Sequence, residues 1–135
     1  MSRKQRKGLR RASEAADFRR ALIMEVGCCE IHGYVKDIRS LAVHEIAGGP
    51  NRAKSLDKRF AVLVVCPDCH RDVHGRPAHW SKARQLAVLG ISRPKDLDVP
   101  AFCDLIGWAV TAITDSEVSE CVADIIRDRT ESFGR

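Results

Sequence analysis

The chain has 135 residues and a formal net charge of +5 at pH 7. That is enough for one core but not for two large domains. No run reaches the roughly 18 to 20 apolar residues that a bilayer span requires, which excludes a helical membrane protein. The N-terminus is basic but lacks the apolar segment of a secretory signal, so a cytoplasmic protein is expected, with its six cysteines as metal ligands or buried thiols rather than disulfides. Charge is unevenly spread: residues 1–60 carry 14 Lys/Arg against 7 Asp/Glu. A polyanion would therefore meet the N-terminal half first.

Residues 1–12 hold Arg3, Lys4, Arg6, Lys7, Arg10 and Arg11 without an acid and with only Leu9 to bury. Such a segment is expected to be a disordered basic tail that can contact phosphates. A helix is predicted from Ser13, its N-cap, to a stop at Gly27, with Ala15, Phe18, Leu22 and Val26 as its buried stripe. Arg19 and Arg20 lie outside that stripe.

Cys29 and His32 have a C-x2-H spacing, and Gly33 suits the tight turn of a zinc knuckle. Cys28 could replace Cys29, since spacing alone does not separate adjacent thiols. Tyr34 to His44 reads as an extended stretch with a break. Residues 47–52 form a glycine-proline loop, followed by a polar connection with Arg52, Lys54, Lys58 and Arg59. Phe60 to Val65 is a buried strand by its β-branched content. Pro67 then opens a helix carrying Cys66-x2-Cys69, His70 and, one turn later, His74. Two close ligand pairs separated by a hairpin-length insert are the usual build of a structural zinc site.

Helices are predicted over Ser81–Leu89 (closed by Gly90), from a cap at Asp98 over Val99–Ile113, and from a Thr114/Glu117 capping box onward. Phe102, Leu105, Ile106, Trp108 and Ala109 are expected to be buried on the second, and Val118, Cys121, Val122, Ile125 and Ile126 on the third. Cys103 and Cys121 sit among apolar positions as buried thiols. His79 shows no partner and reads as structural. The expected organisation is a tail over 1–12, a zinc-bearing ββα domain with its leading helix over 13–80, and a helical extension over 81–135, α+β in class.

A knuckle, a hairpin and a helix whose first turn bears the last cysteines make a treble-clef arrangement. With Val43-His44-Glu45-Ile46, Gly48-Gly49, Cys66-Pro67-Asp68-Cys69-His70 and His74, residues 28–76 resemble the HNH (ββα-metal) endonucleases. The layout looks most like small phage-type members. The resemblance implies a structural zinc on Cys29, His32, Cys66 and Cys69. It also implies a second divalent ion, Mg²⁺ in the cell, on His70 with His74, and His44 as the general base in hydrolysis of DNA, most naturally duplex DNA. Arg3, Lys4, Arg6, Lys7, Arg52, Lys54, Lys58 and Arg59 would contact the backbone.

The chain departs from the family pattern at two points. Val43 stands where an acidic or histidine ligand usually precedes the base, and the middle Asn has no counterpart before Cys66. Sliding the match by one residue makes His44 a metal ligand and Glu45 the base. Two other functions fit the same sequence: a non-catalytic, zinc-stabilised DNA-binding module, or a phage protein-interaction module in which the C-terminal helices bind a partner. Homo-oligomerisation stays open.

Overall fold

The computed structural model describes residues 2–33, 37–71 and 80–133. Among them, six α-helices surround one two-stranded antiparallel sheet, so the fold is α+β. The expected disordered tail is instead helical: α1 runs from Arg3 to Val26. Ser2, not Ser13, is its N-cap, because Ser2 and Gln5 exchange reciprocal hydrogen bonds in a capping box. Gly8 is carried within the helix and no proline interrupts it before Gly27, whose positive φ of 70° and N–H bond to Ile23 close the helix as predicted. Residues 2–14 are all exposed, and the first buried side chains of α1 are Ala15 and Leu22.

Strand β1 (Ala42–Glu45) pairs with β2 (Val62–Val65), placing His44 opposite Leu63 and Glu45 opposite Val62. β2 is shorter than its apolar run, because residues 59–61 turn in a 3-10 geometry before it. Val62 to Val65 are wholly buried. They pack beneath Leu22 of α1 and within the core that also holds Leu86, Leu89 and Phe102. Gly48 and Gly49 take positive φ between the strands. The polar connection after them holds a short helix, α2 (Arg52–Ser55), where irregular chain was expected. α3 (Pro67–Arg71) starts at its proline as predicted.

The C-terminal half supplies α4 (Lys82–Ser92), α5 (Val99–Leu105) and α6 (Asp115–Phe133). Gly90 does not end α4. It sits inside the helix, where a Cβ would come within 3.0 Å of the Leu97 side chain, so the glycine serves a close approach. Asp98 caps α5 through the Ala101 N–H, but the helix stops at Leu105 and leaves Trp108 46% exposed rather than buried. Ala109 and Ile126 are exposed as well. The Thr114 hydroxyl accepts from the Glu117 N–H and donates to its carboxylate, which retains half of the expected capping box.

One buried ion pair ties these parts together. Glu30, 1% exposed, meets Arg93 at 2.8 Å. The same carboxylate accepts from the Val64 N–H and the Ser92 hydroxyl. The guanidinium also donates to the Val62 and Arg59 carbonyls and to Asp96. Breaking one partner of such a pair strands a desolvated charge. Arg93→Ala is therefore expected to lower unfolding stability by about 3–5 kcal/mol in urea titrations of the metal-loaded protein, whereas Arg59→Ala, at the exposed side of the network, should cost about 1 kcal/mol or less.

Candidate metal centre and adjoining cleft

Four donors converge between the turn after α1 and the start of α3. The ligand atoms of Cys29, His32, Cys66 and Cys69 all lie within 4.8 Å of one another. The Cys29 and Cys69 sulfurs are 3.9 Å apart, and His32 Nδ1 is 3.6 Å from Cys66 Sγ. A tetrahedral zinc with bonds of about 2.0–2.3 Å separates its donors by about 3.5–3.8 Å, so the cluster fits that ion. The sulfur separation is far beyond the roughly 2.05 Å of a disulfide. Three of the four residues are buried and His32 is half-buried. Among the described residues this is the one group of three or more such side chains placed to share an ion.

The backbone explains how so short a sequence holds the site. Gly33, at a φ of 77°, donates its N–H to the Cys29 carbonyl and closes the knuckle. The Glu30 N–H bonds the Val64 carbonyl, anchoring the knuckle to β2. Arg129 of α6 donates to the carbonyls of Glu30 and Ile31, and Gly33 leaves room for its guanidinium. Cys28 stands outside the cluster, which settles the choice between the two thiols. Burial and the neighbouring Cys29 push the Cys69 thiol up. At Cys66 burial acts the same way but is outweighed by hydrogen bonds from Cys69, Cys29 and Asp68, so that thiol lies below its ordinary value. Crowded thiols of this kind ionise together only when a cation shares their charge.

Beside the cluster lies a cleft of about 420 Å³ between α1, β1, α2 and α3. Glu45 and His70 line it, with Arg19, Arg20 and Arg52. Arg52 approaches the Glu45 carboxylate at 3.8 Å, and Arg20 pairs with Asp17. His70 is exposed.

His44, expected to converge with His70 as the base, is not among the residues that line this cleft. Successive side chains of a strand point to opposite faces, so Glu45 and His44 diverge. His44 is 8% exposed and its Nε2 lies 2.8 Å from Gln85 Oε1. The Gln85 amide nitrogen donates to the Trp80 carbonyl, which turns its oxygen toward His44. Nε2 of His44 therefore carries the proton and Nδ1 the lone pair. Burial holds the His44 pKa below its ordinary value, against the Gln85 hydrogen bond and Glu45, so the ring is neutral at pH 7.

Among the remaining expected residues, His74 and His79 lie outside the described residues. Arg52 and Lys54 sit on exposed α2, and Lys58 pairs with Asp57. Arg59 is drawn into ion pairs with Glu25 and Asp96, a bracing role rather than a free cation. Arg19, Arg20, Gln85 and Arg129 were not singled out as site residues. Gln85 alone left a trace, as a polar side chain amid the apolar positions of its helix.

The purified protein is expected to carry one zinc per chain by elemental analysis. Cys29→Ser should lower zinc affinity by at least about 10-fold and Cys28→Ser should leave it unchanged. Equal loss in both variants would contradict the ligand set. Compared with protein-family models, curated proteins and solved structures, the chain matches none, so what the site does follows from its own donors and charges.

Proposed function

We propose that this chain is a metal-dependent endonuclease of the HNH kind, hydrolysing phosphodiester bonds of duplex DNA on a zinc-stabilised treble-clef scaffold. The observation that carries the reading is the cleft itself. A carboxylate (Glu45) and an imidazole (His70) line it together with three arginines, and His70 directly follows the cluster's Cys69 in the chain. Arginines suit a phosphate, a carboxylate suits a water proton, and the imidazole is a donor for a divalent ion.

In this reading Glu45 replaces His44 as the general base, as the one-residue slide of the HNH match allows. Water attacks phosphorus, its proton passes to Glu45, and the bond to the 3′ oxygen breaks, that oxygen taking a proton from solvent as it leaves as a hydroxyl. Arg19, Arg20 and Arg52 hold the scissile phosphate and balance the negative charge of the phosphorane. Arg52 exchanges its contact with Glu45 for one with the phosphate. A divalent ion at His70, when bound, offsets charge on the leaving oxygen. His44, held as a neutral ring on the opposite face of β1 by Gln85, takes no part in the step.

A second reading, a zinc-stabilised DNA-binding module without catalysis, is favoured by one observation: His44 is packed against Gln85 rather than turned into the cleft. Plasmid nicking with added Mg²⁺ or Mn²⁺ separates the two. Nicking by the intact protein, reduced at least about 100-fold in Glu45→Gln and His70→Ala with zinc content retained, is the expected result. Nicking that survives both substitutions, or none with either ion, would remove the nuclease reading.

A further inference from the structure

The N-terminal half of α1 is a helix that the rest of the fold leaves exposed; its first acid on the cationic side is Glu14, which with Arg11 borders a cavity shared with Ala53, Leu56 and Asp57. Residues 2–14 are exposed, and among the described residues Arg3, Lys4, Arg6, Lys7, Arg10 and Arg11 form no side-chain ion pair. At about 100° per residue these six cations fall within an arc of about 160°, with Gln5, Leu9 and Ala12 on the other side. The stripe is about 12 Å long along the axis, from Arg3 to Arg11.

Left alone, this arrangement is electrostatically unfavourable twice over. Arg3 and Lys7, Arg6 and Arg10, and Lys7 and Arg11 are like-charge pairs four residues apart, and each such pair destabilises a helix. The first turn, where the helix dipole favours acids, has none. A polyanion lying along the stripe removes both penalties. The width of the arc says which one. Arg6 and Lys4 lie at its two edges, placed to reach phosphates on opposite walls of a groove, while Arg3, Lys7 and Arg10 face the floor between them. A B-form major groove, about 12 Å wide, admits a helix in this way, whereas the A-form RNA major groove is too narrow.

We propose that the first half of α1 is a major-groove anchor for duplex DNA, separate from the cleft. The separation follows from the helix itself. Ala16, Arg19, Arg20 and Ile23 line the cleft from a direction about 170° around the axis from the cationic stripe. The two surfaces therefore cannot grip the same few base pairs of a straight duplex. The anchor holds one stretch while the cleft meets another. The proposal adds a binding site to the nuclease reading and shares its substrate, but it does not need the cleft to be catalytic.

The test keeps charge constant and moves it. In the zinc-loaded His70→Ala protein of all 135 residues, without added divalent ion, Lys4→Ala with Ala12→Lys and Arg6→Leu with Leu9→Arg transfer the two edge cations off the arc. Binding to a fluorescent 20-base-pair DNA duplex is followed by anisotropy across a salt series. The expected result is at least about a 10-fold loss of affinity, with a log K against log salt slope shallower by about 2, for the loss of two phosphate contacts. Unchanged affinity and slope in the rearranged protein would overturn the anchor and leave only net charge at work. Equal binding of a double-stranded RNA of the same length would overturn the major-groove assignment. Neither readout involves cleavage, so a failed nicking assay leaves this result standing, and the reverse.

Discussion

Glu30 is the constraint from which the architecture follows. It lies between two metal-type donors, Cys29 and His32, and is taken almost completely out of water. A carboxylate in that position requires full compensation. Arg93 at the end of α4 supplies the charge, and the Val64 N–H and Ser92 hydroxyl supply further hydrogen bonds. The same guanidinium holds the Val62 and Arg59 carbonyls. One pair thus fixes the knuckle, the central strand and the C-terminal helices relative to one another. A two-stranded sheet is marginal by itself, and here it is held from one side by the cluster's ligands and from the other by this pair.

The C-terminal helices accordingly complete the site rather than append to it. Lys82 donates to the Ile46 and Ala47 carbonyls and sets the loop that follows Glu45. Gln85 sets the His44 ring, and Arg129 covers the knuckle's carbonyls. A small ββα element has few backbone groups satisfied internally, and side chains from α4 and α6 accept that task. Residues 28–76 alone would lack these partners, so the boundary expected near residue 80 does not divide the interactions that build the site.

Much of the scaffold was legible because it is encoded locally. The C-x2-H and C-x2-C spacings, Gly27, Pro67 and the β-branched run before Cys66 each act through a few adjacent residues, and the four donors do meet. What was not legible depends on distant contacts. Nothing near Arg59 in sequence says that Glu25 and Asp96 will engage it. Gly90 looked like a helix end because its real reason, the approach of Leu97, lies across a turn. The tail was misjudged for a different reason. Composition argues for disorder, while the Ser2–Gln5 cap and a proline-free run of mostly good helix formers, Gly8 excepted, argue for a helix, and the local geometry prevails.

The placement of His44 is the most instructive departure, because strand alternation decides it. The resemblance to the HNH pattern offers two adjacent positions, His44 and Glu45, whose side chains leave opposite faces of β1, and of the two it is Glu45 that lines the cleft. The hairpin register and the α4 packing send His44 to Gln85 and leave Glu45 lining the same cleft as His70. A motif fixes residue types at spacings, but a one-residue slide exchanges the two faces of the strand. The pair therefore had to be resolved by what lies behind it. Here that is an amide whose orientation is itself fixed by the Trp80 carbonyl. Such a ring is held in one tautomer by the fold, while its neighbour Glu45 is approached by Arg52 at the cleft.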